Sequence, residues 1–327
     1  MRKRAFVQTL AGTWLAIVVA LTGLSPAAAQ NKEVVYITPG LDLPFWRYLS
    51  KGVENVVTAK GYTFQALDSR NSADTQLRNA QDAIARGVAG IVISPTDSST
   101  APSVLALAEK AQIPVIVADI GTNSGEYVSF IISDNYEGAK GVGEALAAAM
   151  KAKGWESGSV GLVTISQARK NGQARTSGFR DALKEAGITK EAGLQQMQSY
   201  TADETFKFTQ DMVTANPDMR GLWIQTDQPA IGAMRAIKAA RKDGEILLAA
   251  FDGIPDFVDL LKSGEIVASG MQQPYLMGQK SAEALFTHLE GGTPEKEILV
   301  PILIVTSENI EEVLPTVKET VFANEMQ

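Results

Sequence analysis

From residue 34 onward, short β-branched runs alternate with longer segments of helical spacing. Val34–Thr38, Tyr62–Leu67, Gly90–Ile93 and Val115–Ala118 predict strands, with helices between them over Pro44–Ala59, Ala73–Arg86 and Ala101–Ala111. Apolar runs such as Ile113, Val115, Ile116 and Val117 suit parallel strands covered on both faces. The pattern restarts around Ser133-Asp134-Asn135. Helices are then predicted over Tyr136–Lys153, Gly172–Ala186, Asp203–Asn216 and Pro229–Ala240, with strands over Ser159–Thr164, Leu194–Ser199, Gly221–Ile224 and Leu247–Ala250. A strand over Val267–Met271, a helix over Leu276–Leu289 and a strand over Leu299–Val305 follow. Repeated βαβ units of this length give two α/β domains on parallel sheets. No Gly/Ser-rich or Pro-rich linker separates them, which points to short crossovers rather than a flexible tether.

The first 29 residues break this pattern. Arg2, Lys3 and Arg4 precede an apolar run from Leu10 to Leu24, which ends in Ala27-Ala28-Ala29. A basic start, a short apolar stretch and small residues at the end form a secretory signal peptide, with cleavage expected after Ala29 and the periplasm as destination. Gly12, Thr13, Thr22 and Gly23 soften the run for a membrane span. There is no Cys, which removes disulfides, a thiolate nucleophile, Cys-ligated metals and the lipid-acceptor residue of a lipoprotein. Loss of the three basic residues takes the formal charge from −7 to −10, a balance unsuited to nucleic acid or an anionic membrane surface. Hydrophobic content of 45% is ample for two cores.

Open parallel sheets bind ligands at the carboxyl ends of their strands. The residues after the predicted strands are therefore the candidates: Pro39 to Trp46, Asp119, Gln225-Thr226-Asp227, Phe251-Asp252-Gly253 and Gln272-Gln273-Pro274. Carboxylates accept hydrogen bonds from hydroxyls, amides and guanidinium donate, and aromatic faces cover the C–H side of a sugar ring. Each residue also has a structural reading. Asp119 and Asp252 could cap helices, Phe45 and Trp46 could be core, and Arg175 could lie on a solvated helix face. Enzyme signatures are missing: there is no G-x-S-x-G elbow and no P-loop, and Gly141 and Gly143 fall inside a helical run. The single His, His288, sits on a predicted helix, so no metal or cofactor is expected. The pair Asp119 and Asp252 leaves a glycosidase reading open.

The segments Pro44-Phe45-Trp46, Ile93 to Ser98, Ile113 to Ile116, Ser133-Asp134-Asn135, Gly178-Phe179, Asn216-Pro217-Asp218 and Gly244 to Gly253 resemble the ribose-type periplasmic binding proteins of sugar ABC transporters, from about Lys32 to Thr306. The resemblance implies two Rossmann-like domains, three crossovers and closure about a hinge. It implies one lobe from 30–133 plus 273–298 and a second from 134–272 plus 299–327. It also implies a ligand site of Phe45, Trp46, Asp119, Arg175, Tyr200, Thr226, Phe251, Asp252 and Gln272.

Where the ribose-type pattern has Asn, Arg and Asn, this chain has Leu43, Ile120 and Thr226. A buried hydroxyl without its partner costs about 1–3 kcal/mol, so weak ribose binding is expected, with a deoxy sugar, short polyol or furanose-like molecule favoured. The expected role is a monomeric, non-enzymatic solute-binding protein. It would capture a small sugar or polyol for an ABC permease, or alternatively serve a membrane histidine kinase or chemoreceptor as its ligand sensor.

Overall fold

A computed structural model describes residues 31–325; the export segment expected at 1–29 lies outside them. The first sheet comprises β1 (Glu33–Thr38), β2 (Thr63–Asp68), β3 (Gly90–Ile93), β4 (Val115–Ala118), β5 (Ser129–Ser133) and β11 (Glu297–Val300). Its spatial order is β11-β5-β4-β3-β1-β2, and all its pairings are parallel. The second comprises β6 (Ser159–Thr164), β7 (Glu191–Gln196), β8 (Met219–Ile224), β9 (Leu247–Phe251), β10 (Ala268–Met271) and β12 (Leu303–Thr306), in the order β12-β10-β9-β8-β6-β7. Only β12 runs antiparallel to its neighbour. The central strands are buried on both faces, as their unbroken apolar runs require, whereas the edge strands β2, β7 and β11 are partly exposed.

The chain passes between the sheets at Asp134, ahead of α4 (Asn135–Ala152), and at Gln272-Gln273, ahead of α9 (Pro274–Leu289). The third passage is Pro301-Ile302. The single strand expected over Leu299–Val305 is in fact two, in different sheets: Leu299 and Val300 pair with Ile132 and Ser133, whereas Leu303 pairs with Met271. Pro301, which has no N–H for a ladder, marks the break, so the passage lies after 300 rather than after 298. Strand β7 starts three residues earlier than its apolar run predicts, and the residues after Gln196 leave the sheet for a loop. Three elements had no clear sequence signal: β5, α8 (Asp256–Ser263) and the C-terminal α10 (Ile310–Thr316).

Two helix crossings fix the geometry around the cleft. Helix α1 (Pro44–Ala59) packs on α9 through glycines: a Cβ on Gly52 would sit 2.1 Å from the Tyr275 carbonyl oxygen, and one on Gly278 2.1 Å from that of Leu49. Helix α4 packs on α5 (Lys170–Glu185) in the same way, with Gly143 beneath Ala182 and Phe179. Gly143 packs against α5 and Gly141 against Ile304 of β12, so neither belongs to a phosphate loop.

Candidate functional site

The carboxyl ends of both sheets face a cavity of about 30 Å³ lined by residues of both lobes. From the first lobe come Leu43, Phe45, Trp46 and Asp119; from the second, Ile165, Arg169, Asn171, Arg175, Tyr200, Thr226, Asp227 and Asp252; Gln272 stands at a passage between the sheets. Eight of the nine residues expected from sequence are therefore gathered here. The ninth, Phe251, is fully buried. Strand alternation places it with Leu247 and Ala249 on the face beneath α4, where its ring meets Trp223 edge-on at 6.3 Å. It supports the site indirectly, because the Arg175 guanidinium lies 4.1 Å over its ring centroid.

Phe45 and Trp46 are core residues that also line the cavity. They open α1, where Pro44 occupies the first helical turn. Their rings meet edge to face at 4.8 Å. Ile120 is also core and does not line the cavity, so the chain offers no polar group there. The Thr226 hydroxyl donates to Asp227 Oδ1 at 3.3 Å.

Asp119 and Asp252 each follow the fourth strand of their lobe, at φ of 61° and 60°. Such a conformation in a non-glycine residue is strained, and such strain gathers at functional sites. Each donates its backbone N–H to the next strand, Asp119 to Ile131 and Asp252 to Gly270. Around Asp252 the second lobe builds a network. Arg175 donates to Asp252 Oδ2 at 3.5 Å, to the Gln225 carbonyl at 3.0 Å and to Asn135 Oδ1 at 2.8 Å; Gln272 donates to Asp252 Oδ1 at 2.9 Å. Asp119 receives one side-chain bond, from Asn171 of the opposite lobe at 3.1 Å.

Three buried oxygens lining the cavity have no hydrogen-bond partner: Asp119 Oδ1, Asp227 Oδ2 and Gln272 Oε1. All three are acceptors. Burial raises the carboxyl of Asp119 to about 6, with Arg175 opposing the rise, and that of Asp227 to about 7, with Asp252 adding to it. Asp252 is also raised by burial, against the pull of Arg175. An arrangement of buried, unpaired acceptors beside aromatic rings suits a small neutral molecule that donates several hydrogen bonds.

The lobes touch along the segment that opens α5. Arg169 donates to the Thr96 carbonyl at 2.9 Å and to Asn71 Oδ1 at 3.2 Å, and Lys170 donates to the Thr122 carbonyl at 2.8 Å. With the Asn171–Asp119 bond these form a strap across the cleft. Sequence reasoning missed Arg169 and Asn171 as site residues; it named Asp227 among the strand-end candidates but left it out of the ligand set. Arg169 and Asn171 follow β6, which holds the place in its sheet that β1 holds in the other, so the strand-end rule applied there would have found them.

Residues 34–293 match the model of the periplasmic binding protein domain. A ribose import binding protein from Haemophilus influenzae is 31% identical over 291 residues, covering 89% of this chain and 97% of that protein. A carbohydrate transporter solute binding protein from Agrobacterium radiobacter, solved with D-arabinose, superposes with a TM-score of 0.82 at 24% identity over 90% of this chain and 100% of that one. An ABC transporter solute binding protein from Agrobacterium vitis, solved with D-fucose, gives 0.76 at 27% identity over 88% and 99%.

Proposed function

The chain belongs to the periplasmic binding protein family, and we propose that it is the solute-capturing component of an ABC importer for a small sugar, deoxy sugar or polyol. The observation that carries this reading is the set of three unpartnered acceptors, Asp119 Oδ1, Asp227 Oδ2 and Gln272 Oε1, in one cavity between the lobes. Its relatives are solute-binding proteins rather than enzymes. The engagement of Asp252 with Arg175 and Gln272 leaves it tied up as an ion-pair partner, which favours binding over acid–base chemistry.

In this reading the chain is exported by a signal cleaved after Ala29 and works as a monomer beside a membrane permease. Ligand hydroxyls donate to the three free oxygens, while Phe45, Trp46 and Tyr200 cover the ring. A ligand touching both lobes at once favours their closed arrangement, which the permease recognises. Leu43, Ile120 and Thr226 stand where the ribose-type pattern has Asn, Arg and Asn, so D-ribose binds more weakly than a less hydroxylated sugar. Thermal-shift and calorimetric titrations with D-ribose, D-arabinose, D-fucose and short polyols test this. A hundredfold excess over Kd adds about 2.7 kcal/mol of stability, which a melting curve shows readily. Absence of any shift across the panel overturns the sugar reading, and ribose as the tightest ligand overturns the ranking.

A further inference from the structure

The inner cavity is not closed on all sides. A second, larger cavity of about 480 Å³, open to solvent, adjoins it, and the two share Leu43, Trp46, Arg169 and Tyr200 as walls. Its outer walls are the loop after β1 and the loop after β7. We infer that this vestibule is a second subsite, and that the ligand is a glycoside or short oligosaccharide whose terminal sugar fills the inner cavity while the attached unit occupies the vestibule. The inference rests on the sugar-binding reading and deepens it.

Both walls are held in shape before any ligand arrives. In the loop after β1, Arg47 donates to the carbonyls of Leu41 and Asp42, at 3.1 and 2.8 Å. The loop after β7 is gripped by one carboxylate: Glu204 accepts from the backbone N–H groups of Gln198, Ser199 and Tyr200 and from the Ser199 hydroxyl. The back is fixed too, since Asn71 N–H donates to the Pro39 carbonyl and Arg169 bonds Asn71. Among the described residues, no hydrogen bond joins the Gly40–Leu43 loop to Gln198–Tyr200, so the strap at Arg169–Asn171 holds the lobes without sealing this side. Preformed walls cut the ordering cost of binding.

The lining selects the chemical class. Asp42 and Asp68 balance Arg70 and Arg169, so the vestibule favours neither anion nor cation. Trp46 and Tyr200 offer ring faces, and the Arg169 guanidinium lies 5.1 Å over the Tyr200 ring. Rings flanked by donors and acceptors of both kinds suit a second sugar unit, for the reasons that hold in the inner cavity. Arg70, Asn71 and Tyr200, all on these walls, adopt φ of 49°, 51° and 56°, the same strained region as the two cleft aspartates.

Calorimetry on the mature protein tests this. The tightest free sugar among D-ribose, D-arabinose and D-fucose is compared with both anomers of its methyl glycoside and with disaccharides carrying it at the non-reducing end. At least one glycoside is expected to bind within threefold of the free sugar or tighter. Gln198→Trp, which fills the vestibule from an exposed loop position, is expected to weaken that glycoside at least tenfold and leave the free sugar within twofold. If the free sugar binds and every glycoside binds over a hundredfold more weakly, or if Gln198→Trp weakens both equally, the second subsite is overturned and the sugar reading stands. If neither free sugars nor glycosides bind, both readings fall.

Discussion

Asp119 and Asp252 occupy matching places in two lobes of the same strand order, with the same left-handed backbone and the same N–H bond to the next strand. Their surroundings differ. Asp252 is locked to Arg175 and Gln272, and through Arg175 to Gln225 and Asn135, whereas Asp119 has a buried oxygen without a partner and a single bond that reaches across the cleft. The first lobe otherwise lines the cavity with Leu43, Phe45 and Trp46. Around its aspartate the second lobe thus holds a preorganised polar network, with Asp227 Oδ2 left open beside it, while the first supplies an apolar wall and one waiting acceptor. The contrast teaches that shared topology fixes where a cleft residue stands, and that its neighbours decide whether it supports the structure or meets a ligand.

The contrast breaks most sharply at Arg175. Arg175→Met leaves the Asp252 carboxylate buried without its cation, and removal of one partner of such a pair costs about 3–5 kcal/mol. Calorimetric unfolding should show that loss together with sugar affinity reduced at least a hundredfold; a stable variant with full affinity would remove Arg175 from the site. The next test pairs the two aspartates. Asp252→Asn should destabilise the free protein by about 3 kcal/mol, since it strands Arg175. Asp119→Asn should leave stability unchanged or raised while sugar affinity falls by about tenfold, one lost charge-assisted bond. Equal stability losses in the two variants would erase the distinction between the lobes.

A smaller effect follows from pH. Buried carboxyls raised to about 6 at Asp119 and about 7 at Asp227, above an ordinary 3.8, bind protons more tightly folded than unfolded. Their contribution is therefore fully present below about pH 4 and is lost as pH rises through 6 to 7. The melting temperature of the free protein should gain from these groups between pH 8 and pH 5, while sugar affinity falls over the same range as the acceptors protonate. A melting temperature that falls in step with affinity would contradict the assignment. The smallest effect belongs to the strap. Arg169→Ala loses bonds to Thr96 and Asn71, and sugar Kd should rise about five- to tenfold through faster release, which stopped-flow displacement measures.

Much of this was legible in the chain. Apolar runs placed nearly every strand, and the rule that ligands meet strand ends picked out Asp119, Thr226, Asp252 and Gln272 without any partner in view. What escaped did so for physical reasons. Helix α8 spans only 8 residues, too few for a period to declare itself. Phe251 follows the strand's alternation into the core, so its place beside Asp252 in sequence misled. Strands β11 and β12 read as one apolar run because only Pro301 and Ile302 separate them. The vestibule was invisible, since its walls come from loops that share no pattern and are shaped by backbone bonds to Glu204 and from Arg47.

The central claim is that a small hydroxylated ligand is held between the lobes by acceptors the free protein leaves unpaired. A crystal structure of the protein with the tightest sugar from the titrations tests it most directly. The account predicts ligand hydroxyls within about 2.5–3.0 Å of Asp119 Oδ1, Asp227 Oδ2 and Gln272 Oε1, with the ring against Phe45 or Trp46. A sugar bound outside the cleft, or inside it with those three oxygens still unpartnered, would contradict it.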